Sequence, residues 1–169
     1  MDHTELTKQI NLKVNEHKAV LGKILSDHSN IFIFGNGGSH SIAEHISQDY
    51  SKFLDKNTFT ISNNSIITAF SNDYGFENLF LNYLKSFKNF TNILVILISS
   101  SGNSNNIINC AKYCHQNKIN YISLTGFSEK NSLNIFESKY CLLKVWVNSK
   151  SYGVVELTHE SLLHSIIDN

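Results

Sequence analysis

Two short apolar runs in this chain end directly on loops rich in glycine and serine, and each loop leads into a stretch with helical periodicity. The first run, Ile31-Phe32-Ile33-Phe34, ends on Gly35-Asn36-Gly37-Gly38-Ser39. The second, Ile93-Leu94-Val95-Ile96-Leu97-Ile98, ends on Ser99-Ser100-Ser101-Gly102-Asn103-Ser104. Short apolar runs bounded by turn residues read as buried strands, and strands alternating with helices imply βαβ units and a mostly parallel sheet. A loop of this kind at a helix N-terminus favours a bound anion, because the first-turn amides lack partners within the helix. Lys+Arg number 14 against 14 Asp+Glu. Nucleic acid or an anionic membrane would demand a basic face, so the expected anion is small, and a phosphorylated metabolite fits. Either loop alone also reads as a tight turn; the matched pair on an α/β pattern favours a ligand.

The rest of the chain carries the same alternation. Leu6, Ile10, Val14, Leu21, Ile24 and Leu25 recur at helical spacing, so the first 25 or so residues predict one amphipathic helix that packs on its own domain or on a partner. Further strands are expected at Thr58–Ser62, Tyr121–Leu124 and Leu142–Val147. Helices are expected at Ile42–Phe53, Glu77–Phe87, Asn105–Asn117, Leu133–Phe136 and Val155–Ile167. A length of 169 residues suits one domain with a real core. The longest strongly apolar run, Ile93 to Ile98, is far too short for a membrane span, and the N-terminus lacks a signal-peptide pattern. The odd cysteine count of 3 argues against a disulfide framework. These features point to the cytoplasm. Cys110 and Cys114, one helical turn apart, read as small core thiols, with metal binding the alternative.

Nucleotide cofactors are not expected. The first loop lacks the third glycine of a dinucleotide fingerprint, His40 standing in its place, and no acidic residue closes the next strand, where Ser62-Asn63-Asn64 stand. Neither loop has the Gly-Lys-Ser/Thr ending of a P-loop. Two titratable groupings remain. His45 and Asp49 lie four apart on one helix face, as an ion pair or part of a site. Glu156, His159, Glu160 and His164 crowd the last helix. Asn72-Asp73-Tyr74-Gly75 reads as a turn on its own residues.

Taken in order, these pieces resemble the SIS (sugar isomerase) domain family and, within it, the phosphoheptose isomerase branch. The resemblance rests on Gly35-Asn36-Gly37-Gly38-Ser39 with His45 and Asp49, and on Asn72-Asp73-x-Gly75-Phe76. It continues through Ser99-x-Ser101-Gly102-Asn103-Ser104, Thr125-Gly126, and Glu156-x-x-His159 with His164. It implies a three-layer αβα sandwich around a five-stranded parallel sheet. It also implies an N-terminal helix over residues 1–28, a phosphosugar-binding domain over 29–169, and a cytoplasmic homotetramer. Members convert sedoheptulose 7-phosphate to a heptose 7-phosphate for lipopolysaccharide or capsule synthesis.

By the resemblance, Ser99, Ser101 and Ser104 would hold the phosphate, Asn36, Gly37, Gly38, Asn72 and Asp73 would line the sugar site, and Ser39 and Ser100 would complete the substrate-binding set. His45, Asp49, Glu156 and His164 match positions that bind zinc in some relatives. Asp49 stands where many members carry Glu, and Glu156 where many carry Gln. For proton transfer the expected base is Asp49, with Glu156 as the alternative, and the expected acid is His164. Glu156 and His164 are eight residues apart, about 12 Å of helical rise. The last helix is therefore expected to begin after Glu156 or to bend there, or neighbouring subunits to complete the site. A non-catalytic phosphosugar-binding adaptor, of the kind that binds a replication initiator, is the alternative. It would not need the full titratable set.

Overall fold

The computed structural model describes residues 3–167. Five strands form one sheet: β1 (Asn30–Phe34), β2 (Asn57–Phe59), β3 (Ile93–Ser99), β4 (Asn120–Thr125) and β5 (Cys141–Trp146). Their order is β2-β1-β3-β4-β5 and every neighbouring pair is parallel. The register sets Phe32 beside Val95 and Phe34 beside Leu97. Chain order reverses between β1 and β3, and a crevice opens at the carboxyl ends of strands at such a reversal. Both glycine/serine loops leave those two strand ends.

Alternate residues on each strand feed the two faces of the sheet. On one face Ile31, Ile33, Leu94, Ile96, Ile122 and Leu124 pack beneath three helices, α1 (His3–Ser26), α2 (Gly38–Phe53) and α7 (Tyr152–His164). Leu21, Ile24 and Leu25 of α1 belong to that same core. On the other face Phe32, Phe34, Val95, Leu97 and Tyr121 meet α3 (Asn64–Tyr74), α4 (Leu79–Lys85) and α5 (Asn105–Gln116). A short α6 (Ser132–Ile135) precedes β5. The result is the parallel α/β sheet expected from the strand–helix alternation, built into the three-layer sandwich that the family resemblance implies. Among the described residues no helix is long and apolar enough to cross a membrane.

Three local expectations need correction. Asn72, Asp73 and Tyr74 form the last turn of helix α3 rather than an isolated turn, and Gly75 ends that helix at φ 79°. Asn63 starts it, its side chain accepting from the Ser65 amide. The helix expected over Glu77–Phe87 splits into a 3-10 turn, Phe76–Asn78, and α4. Finally, α7 begins at Tyr152 and includes both Glu156 and His164, so it does not start after Glu156.

Candidate active site

The loop after β3 folds back on itself through its own hydroxyls. Ser99 Oγ accepts from the Gly102 amide at 3.2 Å and donates to Ser104 Oγ at 3.3 Å. Ser101 Oγ accepts from the Asn103 amide at 3.2 Å. Gly102 sits at φ 65°, and a Cβ there would strike Asn131 Oδ1 at 1.9 Å. Only glycine permits the turn, for reasons of both dihedral and space. Ser104 caps α5 without using its side chain on the helix amides. The first turn of a twelve-residue helix therefore faces the loop with hydroxyls around it.

The loop after β1 is anchored from across the crevice. Asn36 and Asn106 exchange two amide hydrogen bonds, at 2.9 and 3.0 Å, fastening the first loop to the start of α5. Gly37 is the N-cap of α2, at φ 56°, so its helix also begins without a side-chain cap. Between the loops lies a pocket of about 500 Å³. Asn36, Gly37, Gly38 and Ser39 form one wall, and Ser99, Ser100, Ser101 and Ser104 the other. Tyr152 and Glu156 of α7 close it. A Cβ on Gly38 would lie 2.5 Å from Glu156 Oε2, so the carboxylate rests directly on the α2 N-terminus. Among the described residues no lysine lines this pocket. An anion there would be held by hydroxyls and helix amides.

The second titratable group lies further along the α2–α7 seam. His45 Nε2 is 3.5 Å from Asp49 Oδ2, and His164 Nδ1 is 3.7 Å from the same oxygen. The two imidazole rings stand 5.0 Å apart between centroids. His164 Nε2 is 4.0 Å from Glu160 Oε1. One ligand atom each from His45, Glu160 and His164 falls within 4.8 Å of the others. Two imidazole nitrogens and a carboxylate oxygen that close together suit a first-row divalent ion.

His159 is fully buried under the site. Its Nε2 lies 3.1 Å from the Thr125 carbonyl at the end of β4. Burial lowers its pKa to about 4, against a smaller opposing effect of that hydrogen bond. A neutral ring donating Nε2–H to Thr125 ties α7 to the sheet, and its Nδ1 has no partner.

The structure thus gathers Asn36, Gly37, Gly38, Ser39, the four serines and Glu156 at one pocket. It places His45, Asp49 and His164 together beside it, with Glu160 rather than Glu156 as their neighbour. Asn72 and Asp73 pair with each other at 3.0 Å on the exposed end of α3, outside the pocket of their own chain. Two further residues join the site. Tyr152 carries no sequence signal for it, whereas Glu160 stands one turn from both Glu156 and His164 on one helix face.

The SIS domain family model matches residues 3–126. The chain is 31% identical over 150 residues to a phosphoheptose isomerase of Neisseria meningitidis, covering 85% of this chain and 75% of that one. It is 26% identical over 165 residues to a phosphoheptose isomerase of Buchnera aphidicola, covering 95% and 82%. The solved structure of a phosphoheptose isomerase from Neisseria gonorrhoeae shares the fold at a TM-score of 0.84 and 23% identity, over 98% of this chain and 91% of that one. With the pocket at the β1/β3 crossover and its two glycine/serine walls, this chain belongs to the SIS domain family and, within it, to the phosphoheptose isomerases.

Proposed function

We propose that this protein is an aldose–ketose isomerase that converts sedoheptulose 7-phosphate to D-glycero-D-manno-heptose 7-phosphate. The product would feed heptose into lipopolysaccharide or capsule. The phosphate would lie against Ser99, Ser101 and Ser104 at the N-terminus of α5, where orphan amides and the helix dipole favour an anion. The sugar would then extend toward Gly37, Gly38 and Glu156. One observation carries this reading: the Glu156 carboxylate faces the serine wall across a pocket sized for one phosphosugar.

Aldose–ketose exchange needs a base that removes the proton beside the carbonyl and returns it to the neighbouring carbon. Glu156 is the group at hand, because its carboxylate lines the pocket while Asp49 is 8% exposed on the α2–α7 seam. The enediolate oxygen that forms would face the α2 N-terminus, whose amides are aimed at the same space. Asn36, locked by Asn106, would fix the adjacent hydroxyl. The pair His45 and His164, with Asp49 between them, would hold zinc. When bound, such an ion adds positive charge beside the sugar oxygens.

The proposed assembly is a cytoplasmic homotetramer. Leu12 on α1, 66% exposed, and Leu157 on α7, 44% exposed, are apolar side chains that a neighbouring copy would cover. Asn72 and Asp73 would reach the pocket of such a neighbour. The test of the reaction is incubation of purified protein with sedoheptulose 7-phosphate in deuterated water. Aldose product carrying deuterium at the transferred position is expected. No turnover by a folded, zinc-supplied protein would remove the assignment.

A further inference from the structure

We propose, resting on the sugar-phosphate reading of the pocket, that Tyr152 recognises the carbon chain of the ligand and that Phe127 positions Tyr152 to do so. The backbone just after β4 has little freedom. The Gly126 amide donates to the Ser100 carbonyl at 3.0 Å, and a Cβ on Gly126 would lie 2.5 Å from Val155 Cγ2. The next amide, that of Phe127, donates to the Ser149 carbonyl at 2.9 Å. Held between these bonds, Phe127 stands at φ 56°. Left-handed backbone is costly for so bulky a side chain. Strain of this kind persists where the surroundings over-determine it, and it gathers at ligand sites.

What the phenylalanine adds at this position is a support. Its side chain packs against Val147, Val154 and Val155. It also meets the Tyr152 ring edge to face, at 4.8 Å between centroids and 79° between planes. Aromatic pairs favour that arrangement. Tyr152 is the first residue of α7 and 60% exposed, so the Phe127 ring holds a side chain that solvent would leave free. Glycine would suit the backbone of residue 127 better, but it would leave Tyr152 without that partner.

The packing of α7 on α2 sets where Tyr152 stands. Glu156 rests on Gly38 at the start of α2, and Tyr50 near its end donates its hydroxyl to the Leu163 carbonyl at 2.9 Å. The two helices therefore run side by side in the same direction. Tyr152 lies one turn before Glu156 on the same face, about 6 Å of rise away, and so extends past the start of α2. The rest of the pocket is hydroxyl, amide and glycine backbone, apart from Ile98, which is 0% exposed. Among the described residues of the pocket, Tyr152 thus offers the apolar face that a ligand can cover. Inorganic phosphate has no use for such a face. A sugar phosphate reaching from Glu156 to the serine wall carries C–H groups that an aromatic ring can cover, while the ring's hydroxyl tip stays in water.

The experiment is calorimetric titration of wild type, Tyr152→Phe, Tyr152→Ala, Phe127→Gly and the double variant Phe127→Gly/Tyr152→Ala. The probes are sedoheptulose 7-phosphate, a hexose phosphate, a pentose phosphate and inorganic phosphate. Circular dichroism checks folding and light scattering checks assembly. Tyr152→Ala should weaken sugar-phosphate binding about tenfold, the worth of about 55 Å² of covered ring, and leave inorganic phosphate within about twofold. Tyr152→Phe keeps the ring and should stay within about threefold of wild type. Phe127→Gly should weaken the same ligands by about threefold or more, and should add nothing to Tyr152→Ala in the double variant. In turnover, kcat/KM should fall chiefly through KM. Equal losses for sugar phosphates and inorganic phosphate overturn the proposal, as does undiminished sugar-phosphate binding by Tyr152→Ala. So does a wild type that binds no sugar phosphate better than inorganic phosphate. A loss that follows a smaller assembly assigns Tyr152 to a subunit contact and overturns it too. Selective binding through Tyr152 without any isomerisation upholds the proposal and removes the isomerase. Isomerisation with KM unchanged in Tyr152→Ala does the opposite.

Discussion

The Glu156 carboxylate lies so close over Gly38 that a single added methyl would meet its Oε2 at 2.5 Å. The first residue of α2 and the proposed base of α7 are therefore sterically coupled. Gly38→Ala should displace the carboxylate from the pocket wall. Gly38 itself has no positive φ, and alanine in a compatible helical position usually adds about 0.4–1 kcal/mol of stability. The expected outcome is kcat down by tenfold or more with the melting temperature unchanged or raised. Full activity in a well-folded Gly38→Ala protein would show that the carboxylate position does not matter to the reaction.

Ser100 supplies a different kind of test. Its side-chain oxygen is buried at the pocket wall and has no hydrogen-bond partner. An unsatisfied buried hydroxyl costs stability, so Ser100→Ala should leave the free protein as stable as wild type or better by up to about 1 kcal/mol. The same change should shrink the thermal shift produced by sedoheptulose 7-phosphate, because binding stabilises by mass action. Differential scanning fluorimetry with and without ligand reads both effects. An undiminished ligand shift would take Ser100 out of the site.

Much of this arrangement is written locally in the chain. The turn at Gly102 needs a positive φ and an absent Cβ, so sequence displays it. The buried strands likewise announce themselves as unbroken apolar runs. Helix α3 does not, because none of its residues is fully buried and its start is a polar Ser62-Asn63-Asn64-Ser65. Its stability comes from the Asn63 cap and from Ile66, Ile67 and Phe70 packed at the edge of the core, a stripe barely one turn long. The partition of Glu156 and Glu160 is hidden for another reason. Both are glutamates on one helix face. Only the parallel packing of α2 on α7 sends one to the pocket and the other to the histidines.

His159 makes stability depend on pH in a definite direction. Its folded pKa, about 4, lies below the unfolded value of about 6.5 because the buried ring resists charge. The neutral ring's contribution is complete above pH 6.5. It is lost as pH falls toward 4, since the unfolded chain takes up the proton first. A separation of that size corresponds to roughly 3 kcal/mol. Urea unfolding of wild type and His159→Gln from pH 7.5 to 4.5, with chelator present, isolates this part. The variant should show a flatter profile, and parallel profiles would reject the assignment.

The positions of Asn72 and Asp73 predict how the subunits depend on each other. In one chain these side chains sit on the exposed end of α3, away from the pocket that holds Glu156. If a neighbouring copy receives them, Asp73→Asn and Glu156→Gln impair the same pocket from different chains. Each homogeneous variant should have low kcat. Mixed after partial unfolding and refolding, they should regain activity, since some pockets would combine a wild-type Asp73 with a wild-type Glu156. Two-site statistics limit the recovery to about a quarter of wild-type activity in an equal mixture. Light scattering establishes the assembly, and a mixture no more active than its components would place each pocket within a single chain.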